Sequence, residues 1–157
     1  MSMTEEAIVH KHILIPTDGS SLARQGVARG LELAKTHGAK VTAMTATEAP
    51  GGQFAFAADL WTLDDDELAA YEQSQADIAE GILGEVKTMA SGLGLQVETV
   101  HIPNCRASVA IVDTARACGC DVIVMASHGR SGMSRVLLGN QAAEVVAAAP
   151  MPVVIIR

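Results

Sequence analysis

The sequence predicts an α/β fold in which a five-stranded parallel sheet, of order 3-2-1-4-5, carries helices on both faces. Short apolar runs alternate with segments of helical periodicity from end to end, in the order βαβαβαβαβ. The run Asp121-Val-Ile-Val-Met-Ala126 is apolar after its first residue, as in a strand covered on both sides. No internal repeat or linker interrupts the alternation, so residues 1–157 are expected to form a single domain.

The elements follow in order. His12-Ile-Leu-Ile-Pro-Thr17 is a short buried strand ended by Asp18-Gly19-Ser20. From Ser21 to His37, Ala23, Val27, Leu31 and Ala34 recur as a helical stripe, and Gly38 stands where a helix-terminating glycine belongs. Val41 to Thr47 is the second strand. Residues 48–62 read as a glycine-rich loop that is unusually apolar for a loop, with Phe54, Phe56 and Trp61, and suit packing over the sheet edge, a pocket lid or a partner surface. Thr62-Leu-Asp-Asp-Asp-Glu67 begins a helix, its carboxylates favoured by the positive end of the helix dipole. Its expected buried stripe is Tyr71, Gln75, Ile78, Ile82, Val86 and Met89. Leu95 to Ile102 alternates as a third strand. Ile111, Val112, Ala115 and Cys118 mark a helix closed by Gly119. After the fourth strand, Asn140 to Ala148 is a last helix stopped by Pro150, and Met151 to Arg157 is the fifth strand, with Pro152 confined to its start.

Composition excludes several function classes. The chain is 49% hydrophobic and 18% charged, too apolar for disorder, and only 3% aromatic, too poor in stacking platforms for a single-strand nucleic-acid reader. A net charge of −7 argues against nucleic-acid and anionic-membrane surfaces. No window approaches the ~18 consecutive apolar residues of a membrane span. Glu5 and Glu6 stand where a signal peptide would carry basic residues. An odd count of 3 cysteines (Cys105, Cys118, Cys120) suits a reducing cytosol, so a cytoplasmic location is expected. The spacing of Cys118 and Cys120 matches neither a redox CxxC pair nor a zinc site, and reads as small apolar thiols at a helix end. His10 and His12 read as a solvated strand entry.

In a doubly wound sheet, ligands bind beyond the carboxyl ends of the strands where the order reverses, here after strands one and four. The first cluster is Pro16-Thr17-Asp18-Gly19-Ser20. The second runs from Ala126-Ser127-His128-Gly129-Arg130 through Arg135 to Gly139-Asn140. Small residues and glycines let backbone N–H groups converge on an anion, and Gly139-Asn140 opens a helix whose first N–H groups favour phosphate. Arg130 and Arg135 supply cations. Asp18, acceptor-only when ionised, suits an adenine amino group, a ribose hydroxyl or a metal. Taken alone, Asp18-Gly-Ser-Ser is also an ordinary N-cap turn, Asn140 an ordinary N-cap, and the arginines solvated loop charges.

These residues resemble the universal stress protein family over nearly the whole chain. Ile13-Leu-Ile-Pro-Thr-Asp-Gly-Ser20 is similar to the family's first strand and turn. Asp121-Val-Ile-Val-Met-Ala-Ser-His-Gly-Arg130 with Leu137-Leu-Gly139 is similar to its C-terminal signature, and Val153-Val-Ile-Ile156 to its closing strand. The resemblance implies a Rossmann-like, adenine nucleotide alpha hydrolase-like fold. Nucleotide-binding members carry Gly-x2-Gly-x9-Gly-Ser/Thr across this loop; here Gly129 and Gly139 occupy the second and third glycine positions, but Ala126 replaces the first and Asn140 the Ser/Thr. Matched by position, Pro16, Thr17, Asp18 and Ala46 would border adenine and ribose. Met125, Ala126, Gly129, Arg130, Gly139, Asn140, Gln141 and Ala142 would line the ribose and phosphates. The ligand so implied is ATP or another adenine nucleotide, with Mg2+ as the accompanying ion. The resemblance also implies a homodimer formed through Val153, Val154, Ile155 and Ile156, whose exposed apolar edge invites a partner.

The leading expectation is therefore a nucleotide-binding stress-response regulator, at most a slow ATPase, because no P-loop Lys and no second acidic cluster for a Walker-type metal are evident. The alternative is a dimeric interaction module of the same family that binds no nucleotide, which Ala126 and Asn140 keep open. An enzyme using Ser127 and His128 is disfavoured, because Ser127 lacks a Gly-x-Ser-x-Gly elbow and sequence neighbours seldom present nucleophile and base to each other. ATP, ADP, AMP and a cyclic nucleotide are equally compatible with the sequence.

Overall fold

A computed structural model describes residues 8–52, 62–129 and 138–157. The aromatic residues of the 48–62 loop, together with Arg130 and Arg135, lie outside the described residues. The elements are β1 (His12–Pro16), α1 (Ser21–His37), β2 (Lys40–Ala46), α2 (Asp65–Gly92), β3 (Val97–Ile102), α3 (Ala107–Cys118), β4 (Val122–Ala126), α4 (Asn140–Ala148) and β5 (Val153–Ile156). The strands form one sheet of order β3-β2-β1-β4-β5 with every neighbouring pair parallel, as the sequence predicts.

Strand alternation divides the core between the two faces. Ile13, Ile15, Val41, Ala43, Val122 and Val124 point towards α1 and α2, where Val27, Leu31, Leu83 and Val86 meet them. Leu14, Met44, Ile123 and Met125 point the other way, onto Ile111, Val112, Ala115, Ala142 and Val145 of α3 and α4. β1 and β4, at the centre of the sheet, are therefore apolar at nearly every position.

Helix ends follow local chemistry. Ser20 caps α1 by accepting from the Ala23 N–H (3.2 Å), and Gly38 ends it in the left-handed conformation with φ 63°. Asp64 and Glu67 close a reciprocal capping box at the start of α2.

Three sequence-based details are corrected. The buried stripe of α2 is Ala79, Leu83, Val86 and Ala90, rotated from the expected one, so Ile78 is exposed. The two alanines let this long helix lie close to the sheet, a packing consideration invisible to periodicity. β5 begins at Val153 rather than Met151, because Pro152 has no N–H to offer, although its carbonyl still accepts from the Ile123 N–H (3.0 Å). His10 and His12 are packed, not solvated. The His10 ring stacks on His37 with centroids 5.4 Å apart, and His12 Nε2 meets the Thr42 hydroxyl at 2.8 Å.

Among the described residues all three cysteines are free. Cys120 is buried, and burial, reinforced by Cys118 and Asp121, pushes its thiol up to about 12. It is a core thiol with no thiolate character.

Candidate functional site

The carboxyl ends of β1 and β4 are adjacent, and the turns that follow them face each other. After β1, the Thr17 N–H still donates to the Met44 carbonyl (2.9 Å), so the chain leaves the sheet only at Asp18. There Asp18 Oδ1 accepts from the Ser20 N–H (2.9 Å) and Thr17 Oγ1 from the Gly19 N–H (3.2 Å). The segment is thus an N-cap turn, and it also walls a cleft. After β4, the Ser127 N–H donates to the Ile156 carbonyl (2.8 Å), and the Ser127 carbonyl accepts from the Gly139 N–H (2.9 Å). That second bond draws Gly139, at the start of α4, directly against the end of β4.

Between the turns lies a cleft of about 940 Å³. This is near the upper end of the roughly 300–1,000 Å³ typical of small-molecule sites. Pro16, Thr17, Asp18, Ala46, Met125, Ala126, Gly129, Gly139, Asn140, Gln141 and Ala142, singled out by sequence, all line it. Arg130 lies outside the described residues.

Two glycines set the width of this cleft. A Cβ at Gly129 would fall 2.5 Å from Asp18 Oδ2, so any larger residue there would have to turn the Asp18 carboxylate aside. A Cβ at Gly139 would fall 2.7 Å from the Ser127 carbonyl oxygen, which as backbone cannot move aside. One expectation changes here. Gly139, not Asn140, is the N-cap residue of α4, and Asn140 is the first helical residue with no capping hydrogen bond. Helix α3, whose first residues also line the cleft, likewise starts without a side-chain cap, whereas α1, whose Ala23 reaches the cleft as well, is capped by Ser20.

Sequence reasoning missed the far wall. Arg106, Ser108 and Glu48 line the cleft from the segments after β3 and β2, and Glu144 from α4. Arg106 pairs with Glu144 through Nη2, and the buried Ser108 hydroxyl donates to the other Glu144 oxygen (2.5 Å). Glu144 was findable in principle, since it lies four residues after Asn140 on one helical face. Arg106 was not, because only the packing of α3 beside α4 on one face of the sheet brings it to Glu144. His128, also in the lining, has Nδ1 at 3.0 Å from the Ser127 hydroxyl.

A match to the universal stress protein family extends over residues 10–157. The chain belongs to the universal stress protein family. The universal stress protein MJ0531 of Methanocaldococcus jannaschii is 31% identical over 149 residues, covering 95% of this chain and 83% of that one. Among solved structures, the universal stress protein UspA of Lactobacillus plantarum superposes with a TM-score of 0.81 at 23% identity, over 96% of this chain and 100% of the other. Universal stress proteins solved in complex with cAMP (TM-score 0.63, 22% identity, 96% of this chain and 98% of that one) and, from Archaeoglobus fulgidus, with dAMP (0.67, 18%, 96% and 100%) share the same fold. At these identities the structural likeness concerns the fold, the parallel α/β arrangement described above.

Proposed function

We propose that this universal stress protein binds an adenine nucleotide in the cleft between the β1 and β4 turns and acts as a homodimeric stress-response regulator in the cytosol. The observation carrying this reading is the facing of Asp18, after β1, and Gly129 and Gly139, after β4, across one cleft of nucleotide size. Relatives of the same fold solved with cAMP and dAMP support the ligand class.

In this reading, Pro16, Thr17 and Ala46 border the base, and Asp18 accepts from a ribose hydroxyl or the adenine amino group. Gly129 and the uncapped first turn of α4, which Gly139 holds against the end of β4, offer N–H groups to phosphate. Ala126 fits the role of the family glycine because its methyl group is already accommodated, 8% exposed, at the end of β4. Among the described residues, no group of three or more His, Cys, Asp or Glu side chains could hold a metal ion. With ATP as the ligand, Mg2+ would enter on its phosphates, as the family resemblance implies.

The test is to denature freshly purified protein and identify released nucleotide by chromatography and mass spectrometry, with calorimetric titration of ATP, AMP and cAMP. Near-stoichiometric adenine nucleotide, or a titratable site abolished by Gly129→Glu, is the expected result. Absence of both released nucleotide and binding heat would turn the reading to a dimeric interaction module.

A further inference from the structure

We infer that Arg106 is the phosphate-selecting residue of the cleft and that Glu144 attenuates it, so that this pair sets how strongly phosphorylated ligands are preferred over the bare nucleoside. The inference rests on the nucleotide reading above. Among the described residues, Arg106 is the one Lys or Arg side chain in the cleft lining. Its contact with Glu144 uses a single guanidinium nitrogen, Nη2. Guanidinium presents five N–H donors in a planar fork, which suits two oxygens of one phosphate.

The pair is also easily rearranged. Both partners are half exposed, with side-chain exposures of 50% and 38%, and pairs of that kind are weak. Ser108, which is buried, keeps a donor on Glu144 when the guanidinium turns away. Geometry sets the reach. Glu144 stands four residues after Asn140, about 6 Å along α4 at 1.5 Å per residue. A guanidinium held at Glu144 thus shares the cleft with the uncapped start of α4, whose backbone begins one helical turn before Glu144. The Glu144 carboxylate lines the same cleft, where its charge opposes a phosphate electrostatically.

The test is calorimetric titration of AMP and adenosine into the full-length protein, the variants Arg106→Gln and Glu144→Gln, and Arg106→Lys, with thermal melts to verify folding. Gln at 144 retains a hydrogen-bond acceptor of the same shape while removing the charge. Arg106→Gln is expected to weaken AMP by about tenfold or more, the loss of a charged hydrogen bond, and to leave adenosine within about twofold. Glu144→Gln is expected to tighten AMP several-fold without altering adenosine, and Arg106→Lys to fall between wild type and Gln. Equal losses for AMP and adenosine in Arg106→Gln, or weaker AMP binding in Glu144→Gln, would overturn the inference while leaving the nucleotide reading intact. A wild-type protein that binds neither ligand would overturn both.

Discussion

A methyl group is enough to alter the cleft at two positions. At Gly139 the obstacle is the Ser127 carbonyl, 2.7 Å from where a Cβ would stand, and the same carbonyl accepts the Gly139 N–H. Gly139→Val should therefore lift the start of α4 from the end of β4, costing about 1–3 kcal/mol of stability in urea denaturation, in the range of overpacking substitutions. An unchanged midpoint would mean the loop yields freely. At Gly129 the obstacle is a side chain, Asp18, which can rotate, so substitution there is expected to damage binding far more than folding. His101 offers a residue-scale pH effect. Burial lowers its pKa from the ordinary 6.5, and its Nε2 meets the Thr47 hydroxyl at 2.8 Å. Because the unfolded chain takes up the proton more readily, this contribution to stability is complete above pH ~6.5 and is lost as pH falls below it. Denaturation midpoints at pH 7.5 and 5.5 should diverge less in His101→Gln than in wild type; an equal drop in both would assign the pH dependence to other groups.

At the scale of elements, α1 is seated by glycines on one face. A Cβ at Gly26 would lie 3.1 Å from the Ala126 backbone nitrogen, and one at Gly30 2.6 Å from Ile15 Cδ1. Their spacing of four residues gives the helix a smooth side against β1 and β4. The Ile15 methyl can swing, but the Ala126 backbone cannot. Gly26→Leu should destabilise by about 1–3 kcal/mol and displace the end of β4, where Ala126 lines the cleft. Thermal unfolding measures the first effect and nucleotide titration the second; a stable variant with full affinity would show that α1 does not position the cleft. Helix α2 reaches the same region from the other side, since Ile82 packs on Gly19, whose φ of +77° is one that glycine adopts without strain. The Tyr71 hydroxyl donates to the Glu48 carbonyl (3.0 Å) and fixes the lip of the cleft beyond β2.

For the whole molecule, the homodimer proposed above turns on β5, an edge strand in the sheet. Pro152 and Ile156 direct their carbonyls inward to Ile123 and Ser127. Alternate residues of a strand face the same neighbour, so Val154 also faces β4, while the backbone groups of Val153 and Ile155 face outward. Proline at Val154 would cut the sheet itself. The substitution that probes dimerisation is Ile155→Pro, which removes an outward N–H. Light scattering should then report a monomer where wild type gives a dimer, with helical content preserved by circular dichroism. A dimer mass retained by the variant would reject the β5 edge as the interface. The free aliphatic edge and the exposed Val154 side chain, in a chain of net charge −7, favour pairing through apolar strands over pairing through charge.

Strand and helix spans were legible in the sequence because each depends on local information. The strand order and the facing of the two polar turns were legible because the βα alternation and its crossovers leave few arrangements open. Apolar runs such as Ile13–Ile15 and Val122–Met125 bury both faces, Ser20, Gly38 and Gly119 punctuate helices through their own backbone chemistry, and right-handed crossovers leave few orders open. Tertiary structure alone decided which face α2 buries, that His10 stacks on His37, and that Arg106, Ser108 and Glu144 complete the cleft. The histidine stack and the Glu144 contacts join residues 27 to 38 positions apart, and nothing in the composition of either segment announces the other. Local propensity is written residue by residue along the chain, whereas a wall built from two helices exists only once the sheet has brought them together.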